Sequence, residues 1–416
     1  MIEANTEFQN GSTEKWVVLA AGVVLQAVLG GIYAWSAFVP QLIEAANLSR
    51  GECGAIFGLT IATFAVTTMP AGHFLQKHGP RLTAMIGSLL FACGYLLASF
   101  TAGNFILMVL SYSLVIGTGI GFGYVCPLST GMKWFPNNKG LVTGVAVAGF
   151  GGGAIILSSL SEYLIVDLNF GVFEVFRIIG IAMGGLAFFS SMFIVEPNSE
   201  HEQAVQADQQ PLREHLQKRQ FLLVFIGMFA GTFAGLLIVG NLKPMMLDFG
   251  LDPHSATITI SLFAMGNILG RIFWGQVHDR LGSKITILLN FSFFFMSLML
   301  LLHAHGSQNL MMQITPMIGA GFGGCFVIFA STIVEYFGVK LFARLYPVCF
   351  LGYGLAALTG PAIGGWLADT TNSFYTGINL SLATVLLAGM LVFVFFEDRL
   401  DEDFIKTGQS MISEQD

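Results

Sequence analysis

Twelve runs of predominantly apolar residues, most of them near the ~20 residues a helix needs to cross a bilayer, dominate this chain. They lie near 16–39, 53–75, 82–100, 105–128, 140–165 and 174–195, then near 221–244, 253–275, 284–303, 308–334, 345–368 and 374–396. The runs are continuously apolar, without the two-residue alternation of barrel strands, so α-helix is the way their backbone satisfies its own hydrogen bonds. The fold class that follows is an all-α membrane protein with twelve transmembrane helices. Composition points the same way: 54% of the 416 residues are apolar and 10% charged, and 39 phenylalanines nearly match the 25 acidic and 18 basic side chains together. Soluble domains carry about 25% charged residues, so a water-soluble domain is excluded. A net charge of −7 with 18 basic residues leaves no basic stripe for nucleic acid.

Polar stretches divide the chain into a tail at 1–15, a six-helix half at 16–195, a central loop at 196–220, a second half at 221–396 and a tail at 397–416. An even number of spans puts both ends on one side. Fourteen of the 18 Lys and Arg fall on that side, among them Lys77, Arg81, Lys133, Arg213, Lys218, Arg280 and Lys284, against Arg50, Arg177 and Lys243 opposite. This asymmetry predicts cytoplasmic termini in a cell membrane, the inner membrane if the source is bacterial. The first fifteen residues lack a basic segment and a cleavage site, which predicts a retained tail. The five cysteines have no metal or disulfide spacing and read as small buried hydrophobes, so no metal or other cofactor is expected.

The halves repeat. Gly72 to Arg81 after the second span corresponds to Gly275 to Lys284 after the eighth, at an offset of 203. Gly149-Phe150-Gly151 corresponds to Gly352-Tyr353-Gly354 at the same offset, and Tyr124 to Phe326 at 202. Six spans separate each pair, so the repeats are parallel, and a binding site is expected near the midplane between them.

These features resemble the major facilitator superfamily. The two loops are similar to its G-x-x-x-D-R-x-G-R/K-R/K signature, carried here by Gly72, Gly79 and Arg81 in the first copy and by Gly275, Asp279, Arg280 and Gly282 in the second. The resemblance implies a conformational, gating role for them. The first copy departs, with Gln76 where the family has Asp. Tyr33-Ala34-Trp35, Lys133-Trp134-Phe135-Pro136, Gly270-Arg271 and Glu335-Tyr336-Phe337-Gly338 resemble the monocarboxylate branch, and within it the bacterial oxalate/formate-antiporter-like group.

Arg271 is the clearest cation well inside a span. A central Arg costs about 2.5–3.5 kcal/mol to insert, so it needs a watery cavity or a partner. Glu162, near an outer end, and Glu335, near an inner one, are the candidate partners, and snorkelling is the other structural alternative. Its planar fork matches one carboxylate. The resemblance implies that oxalate-handling relatives add a second cation in span 11, where this chain has Tyr353, which favours a monocarboxylate. It also implies an aromatic lining of Tyr33, Trp35, Tyr124, Phe322 and Phe326, each equally readable as packing. Asn267, one turn before Arg271, stands where animal monocarboxylate carriers have an Asp thought to couple protons.

The expected function is secondary transport of a small monocarboxylate anion (lactate, pyruvate, formate or similar), with a proton or counter-anion as second partner. Lipid would surround a monomer, and no enzymatic activity is expected. The alternatives are a membrane sensor of a small organic acid, or a carrier of an unrelated solute on the same fold.

Overall fold

A computed structural model describes residues 2–135, 139–197, 212–304 and 306–397, and it is helical throughout. The membrane helices of the first half are α1 (Ile2–Gly30), α2 (Arg50–His78), α3 (Pro80–Ala98), α4 (Phe105–Trp134), α5 (Lys139–Glu162) and α6 (Val172–Ser191). Those of the second are α7 (Arg219–Gly240), α8 (253–281), α9 (283–302), α10 (Gln308–Phe337), α11 (Val339–Thr371) and α12 (Tyr375–Phe395). Helices α8 and α9 run on as one stretch of 50 residues, Pro253–Leu302. At 1.5 Å per residue that is about 75 Å, more than twice the ~30 Å hydrocarbon core. Gly282, at φ 73° and ψ 178°, turns the chain between the two spans. Its counterpart Gly79, at φ 80°, does so between α2 and α3. Both need the backbone freedom of glycine.

Helix α1 starts at Ile2, and the stretch apolar enough to cross a membrane begins at Glu14. In the central loop, 198–211 lie outside the described residues, as do Pro136 and 398–416. A short helix, Leu212–Leu216, precedes α7.

Large apolar residues such as Phe273, Phe189 and Phe393 are exposed on the bundle's outside, as lipid-facing residues must be, while glycines face neighbouring helices. The two halves meet where α2 crosses α11 and α5 crosses α8. At Gly54 an added Cβ would stand 2.2 Å from the Pro361 carbonyl, so α2 and α11 touch backbone to backbone. These contacts cluster toward the far end, meaning the end opposite the termini. There the Gly51 amide donates to the Asp369 carboxylate at 2.9 Å, and Ser158 and Ser261 of α5 and α8 pair at 3.3 Å.

Candidate functional site

The chain after α1 tightens into a 3-10 turn, Gly31–Ala37, in which every residue is buried. With three residues per turn, side chains two apart point roughly 120° apart. Tyr33 therefore faces the second half and Trp35 does not. Trp35 instead donates from Nε1 to the Cys53 carbonyl at 3.0 Å and packs on Tyr112 at 4.6 Å, inside the first half. Of the expected lining residues, Trp35 thus has its polar atom bonded within the first half and its ring packed there.

Arg271 of α8 is half-buried. Its Nε donates to Asn267 Oδ1 at 3.0 Å, and its guanidinium carbon stands 4.6 Å over the Phe326 ring of α10. The first bond fixes the fork, the second contact lays it against a π face, and both leave the terminal nitrogens for a ligand. Among the described residues no carboxylate pairs with Arg271. Glu162 is bonded to Lys243 at 2.6 Å, and Glu335 accepts from Ser283 at 2.6 Å and lies 3.4 Å from His278.

Aromatic rings from both halves pack on one another beside Phe326, the ring under the guanidinium. Tyr353 of α11 packs on Phe326 at 5.1 Å, and its hydroxyl meets that of Tyr33 at 2.8 Å across the boundary between the halves. Tyr33 also meets Phe322 at 6.1 Å and Phe150 at 5.8 Å edge to face. Tyr124 packs against Phe64 and Phe150, both at 5.1 Å. The hydroxyls of Tyr33, Tyr124, Tyr346 and Tyr353 all lie within electrostatic reach of Arg271. Tyr33, Tyr124, Asn267, Phe322, Phe326 and Tyr353 thus come together with Arg271.

Phe64, Phe150, Tyr346 and Phe350 belong to the same group without having been singled out from sequence. The repeat carried the signal for two of them. Phe150 is the counterpart of Tyr353, and Phe64, at the offset of 203, is the counterpart of Asn267. Three repeat-related pairs, Phe64 with Asn267, Phe150 with Tyr353 and Tyr124 with Phe326, thus line the site, whereas Arg271 corresponds to Thr68. The charge belongs to one half alone.

The signature residues lie at the other end of α2 and α8. Arg81, Asp279 and Arg280 are exposed, Gly275 packs beside Val327, and an added Cβ on Gly72 would meet nothing within 4 Å. A cavity of about 530 Å³ beside them is walled by His278, Asp279, Gly282 and Glu335. Among the described residues no His, Cys, Asp and Glu cluster suits a metal ion.

Residues 19–348 and 237–410 match the family model described as Major Facilitator Superfamily. The chain is 27% identical to the oxalate:formate antiporter of Oxalobacter formigenes over 384 residues, covering 90% of each chain. It is 23% identical to human monocarboxylate transporter 2 over 409 residues, 90% of this chain and 83% of that one. Its fold matches the crystal structure of a D-xylose-proton symporter with a TM-score of 0.72 at 14% identity, covering 92% of this chain and 98% of the other.

Proposed function

Because the chain belongs to the Major Facilitator Superfamily, and so to a family of membrane transporters, we propose that it carries a small monocarboxylate across the membrane by alternating access. Lactate, pyruvate, formate or a similar acid binds with its carboxylate on the Arg271 fork, and movement is coupled to a proton or to a counter-anion. The observation that carries this reading is a guanidinium oriented by Asn267 and Phe326, within electrostatic reach of four tyrosines, with no carboxylate paired to it among the described residues. An uncompensated buried charge is costly, and one carboxylate removes that cost through two charge-assisted hydrogen bonds.

Tyr33 and Tyr353, one from each half, close over the bound anion, and parting their 2.8 Å bond opens a path. Asn267 positions the fork. Gly72, Gly79, Arg81, Gly275, Asp279, Arg280 and Gly282 form the hinge loops on which the six-helix halves, 16–195 and 221–396, rock. The carrier works as a monomer in the cell membrane, with both termini cytoplasmic. Similarity to an oxalate:formate antiporter and to a monocarboxylate transporter supports a small organic anion.

The test is uptake of labelled lactate, pyruvate, formate and oxalate into proteoliposomes, with and without a pH gradient. Saturable uptake of at least one monocarboxylate, abolished by Arg271→Gln in a folded carrier, is the expected result. Transport that ignores Arg271→Gln, or recognition of oxalate above every monocarboxylate, rejects the reading.

A further inference from the structure

Glu162 is the last residue of α5 and belongs to the first half of the molecule. Lys243 belongs to the second half, in a short helix, Leu242–Asp248, directly after α7. The Lys243 ammonium donates to Glu162 Oε2 at 2.6 Å, and Thr257 in the first turns of α8 donates to the same oxygen. The two charged side chains are 3% and 10% exposed, so solvent hardly screens them. Below the pair the α5–α8 seam continues through Ser158 against Ser261 at 3.3 Å, and Ile268 lies 3.0 Å from the place of a Gly151 Cβ. Arg271 follows Ile268 by less than one turn. From Thr257 to Arg271 is about 21 Å along α8 at 1.5 Å per residue. An anion approaching Arg271 along this seam from the far end must part it, and the ion pair is its outermost polar contact.

We propose that Glu162 and Lys243 form a latch holding the far face of the carrier shut, and that breaking this pair is a step in every transition that exposes Arg271 to that face. A buried pair suits this role because its closed state depends on both partners. Removing one leaves the other charge buried and alone, which disfavours closure strongly, whereas removing both charges does not. The latch is also releasable. Glu162 Oε1 is buried with no hydrogen-bond partner among the described residues, so the closed state leaves a carboxylate oxygen unsatisfied that water satisfies on opening. The inference is independent of which anion Arg271 holds.

The experiment uses full-length protein in sealed vesicles, with a membrane-impermeant maleimide added from the far face. The reporter is Ser158→Cys, at a buried seam position, with labelling of the parent chain subtracted. Glu162→Gln and Lys243→Met should each speed labelling at least tenfold. The charge-swapped pair Glu162→Lys with Lys243→Glu should return it to within about threefold of the parent reporter. Single variants labelling as slowly as the parent overturn the latch, as does a swap labelling as fast as the singles. Should the charge variants not reach the membrane, the otherwise native chain carrying Ser158→Cys and Ser261→Cys still decides. The 3.3 Å oxygen separation predicts ready disulfide cross-linking, and its failure overturns a closed far face. Each readout measures opening and not transport, so a wrong substrate assignment leaves it unchanged.

Discussion

Arg271→Lys separates shape from charge. In the native site Nε is held by Asn267 at 3.0 Å, which leaves the two terminal nitrogens to grip a carboxylate side by side. Lysine keeps one positive charge but offers a single point of attachment and no planar face for Phe326, now 4.6 Å below the guanidinium. One charge-assisted hydrogen bond, about 1.5–3 kcal/mol, is therefore lost. At ~1.4 kcal/mol per factor of ten, affinity falls ten- to a hundredfold. Arg271→Gln also removes the charge and should abolish saturable binding. Purified protein titrated with pyruvate and lactate by calorimetry gives the affinities, and thermal melting without ligand gives a second readout. If Arg271 is a lone cation, Arg271→Gln melts no lower than the native protein, because a costly buried charge has gone. If it belongs to a structural ion pair, that variant melts lower. Arg271→Lys binding within threefold of native, or a destabilised Arg271→Gln that still binds, would refute the reasoning.

Tyr353→Lys places a second cation on α11 and breaks the bond to Tyr33, so competition by oxalate relative to pyruvate should rise at least tenfold; unchanged relative competition counts against the one-cation explanation. Asn267→Asp supplies an internal carboxylate one turn from Arg271, so anion binding should weaken at neutral pH and recover as the pH falls and the carboxylate protonates, read from affinities at pH 5 and 8. Asp252 caps α8 by accepting from Ser255 and His254, and bonding to Ser255 above all holds its carboxyl below its ordinary value. A folded-state pKa below the unfolded one adds stability above the unfolded value and loses it as pH falls through the folded one. Acid melting should therefore show a loss below about pH 4 that is smaller in Asp252→Asn, and equal losses in both proteins would rule the cap out as its source.

The spans and their repeat were legible because bilayer thickness writes itself into run length and because the repeat offset survives at 202–203 residues. The Gly282 break was legible as a motif, and its φ of 73° and ψ of 178° interrupt the helical backbone there. Arg271 stood out since a charge in hydrocarbon is costly. Its aromatic shell was legible only in part. Phe150 and Phe64 were implied by the repeat, whereas Tyr346 and Phe350 follow from the face that α11 turns inward, which is set by packing. That Trp35 packs on Tyr112 while Tyr33 meets Tyr353 was not legible, because the direction of a side chain in a 3-10 turn depends on a twist that adjacency in sequence does not reveal. The Glu162–Lys243 pair was invisible for another reason: its partners lie 81 residues apart in different halves, and no local pattern joins them.

An empty Arg271 has no carboxylate partner among the described residues, so moving the empty site through its occluded state leaves a charge several kcal/mol dearer than the anion-neutralised form. The ratio of exchange to net flux measures this directly. Proteoliposomes loaded with labelled pyruvate are diluted into buffer with or without unlabelled pyruvate outside, at several pH values. A lone, substrate-neutralised cation predicts exchange at least tenfold faster than net efflux at neutral pH. Equal rates would mean that another group already neutralises Arg271 in the empty carrier, and the proposed site would be contradicted.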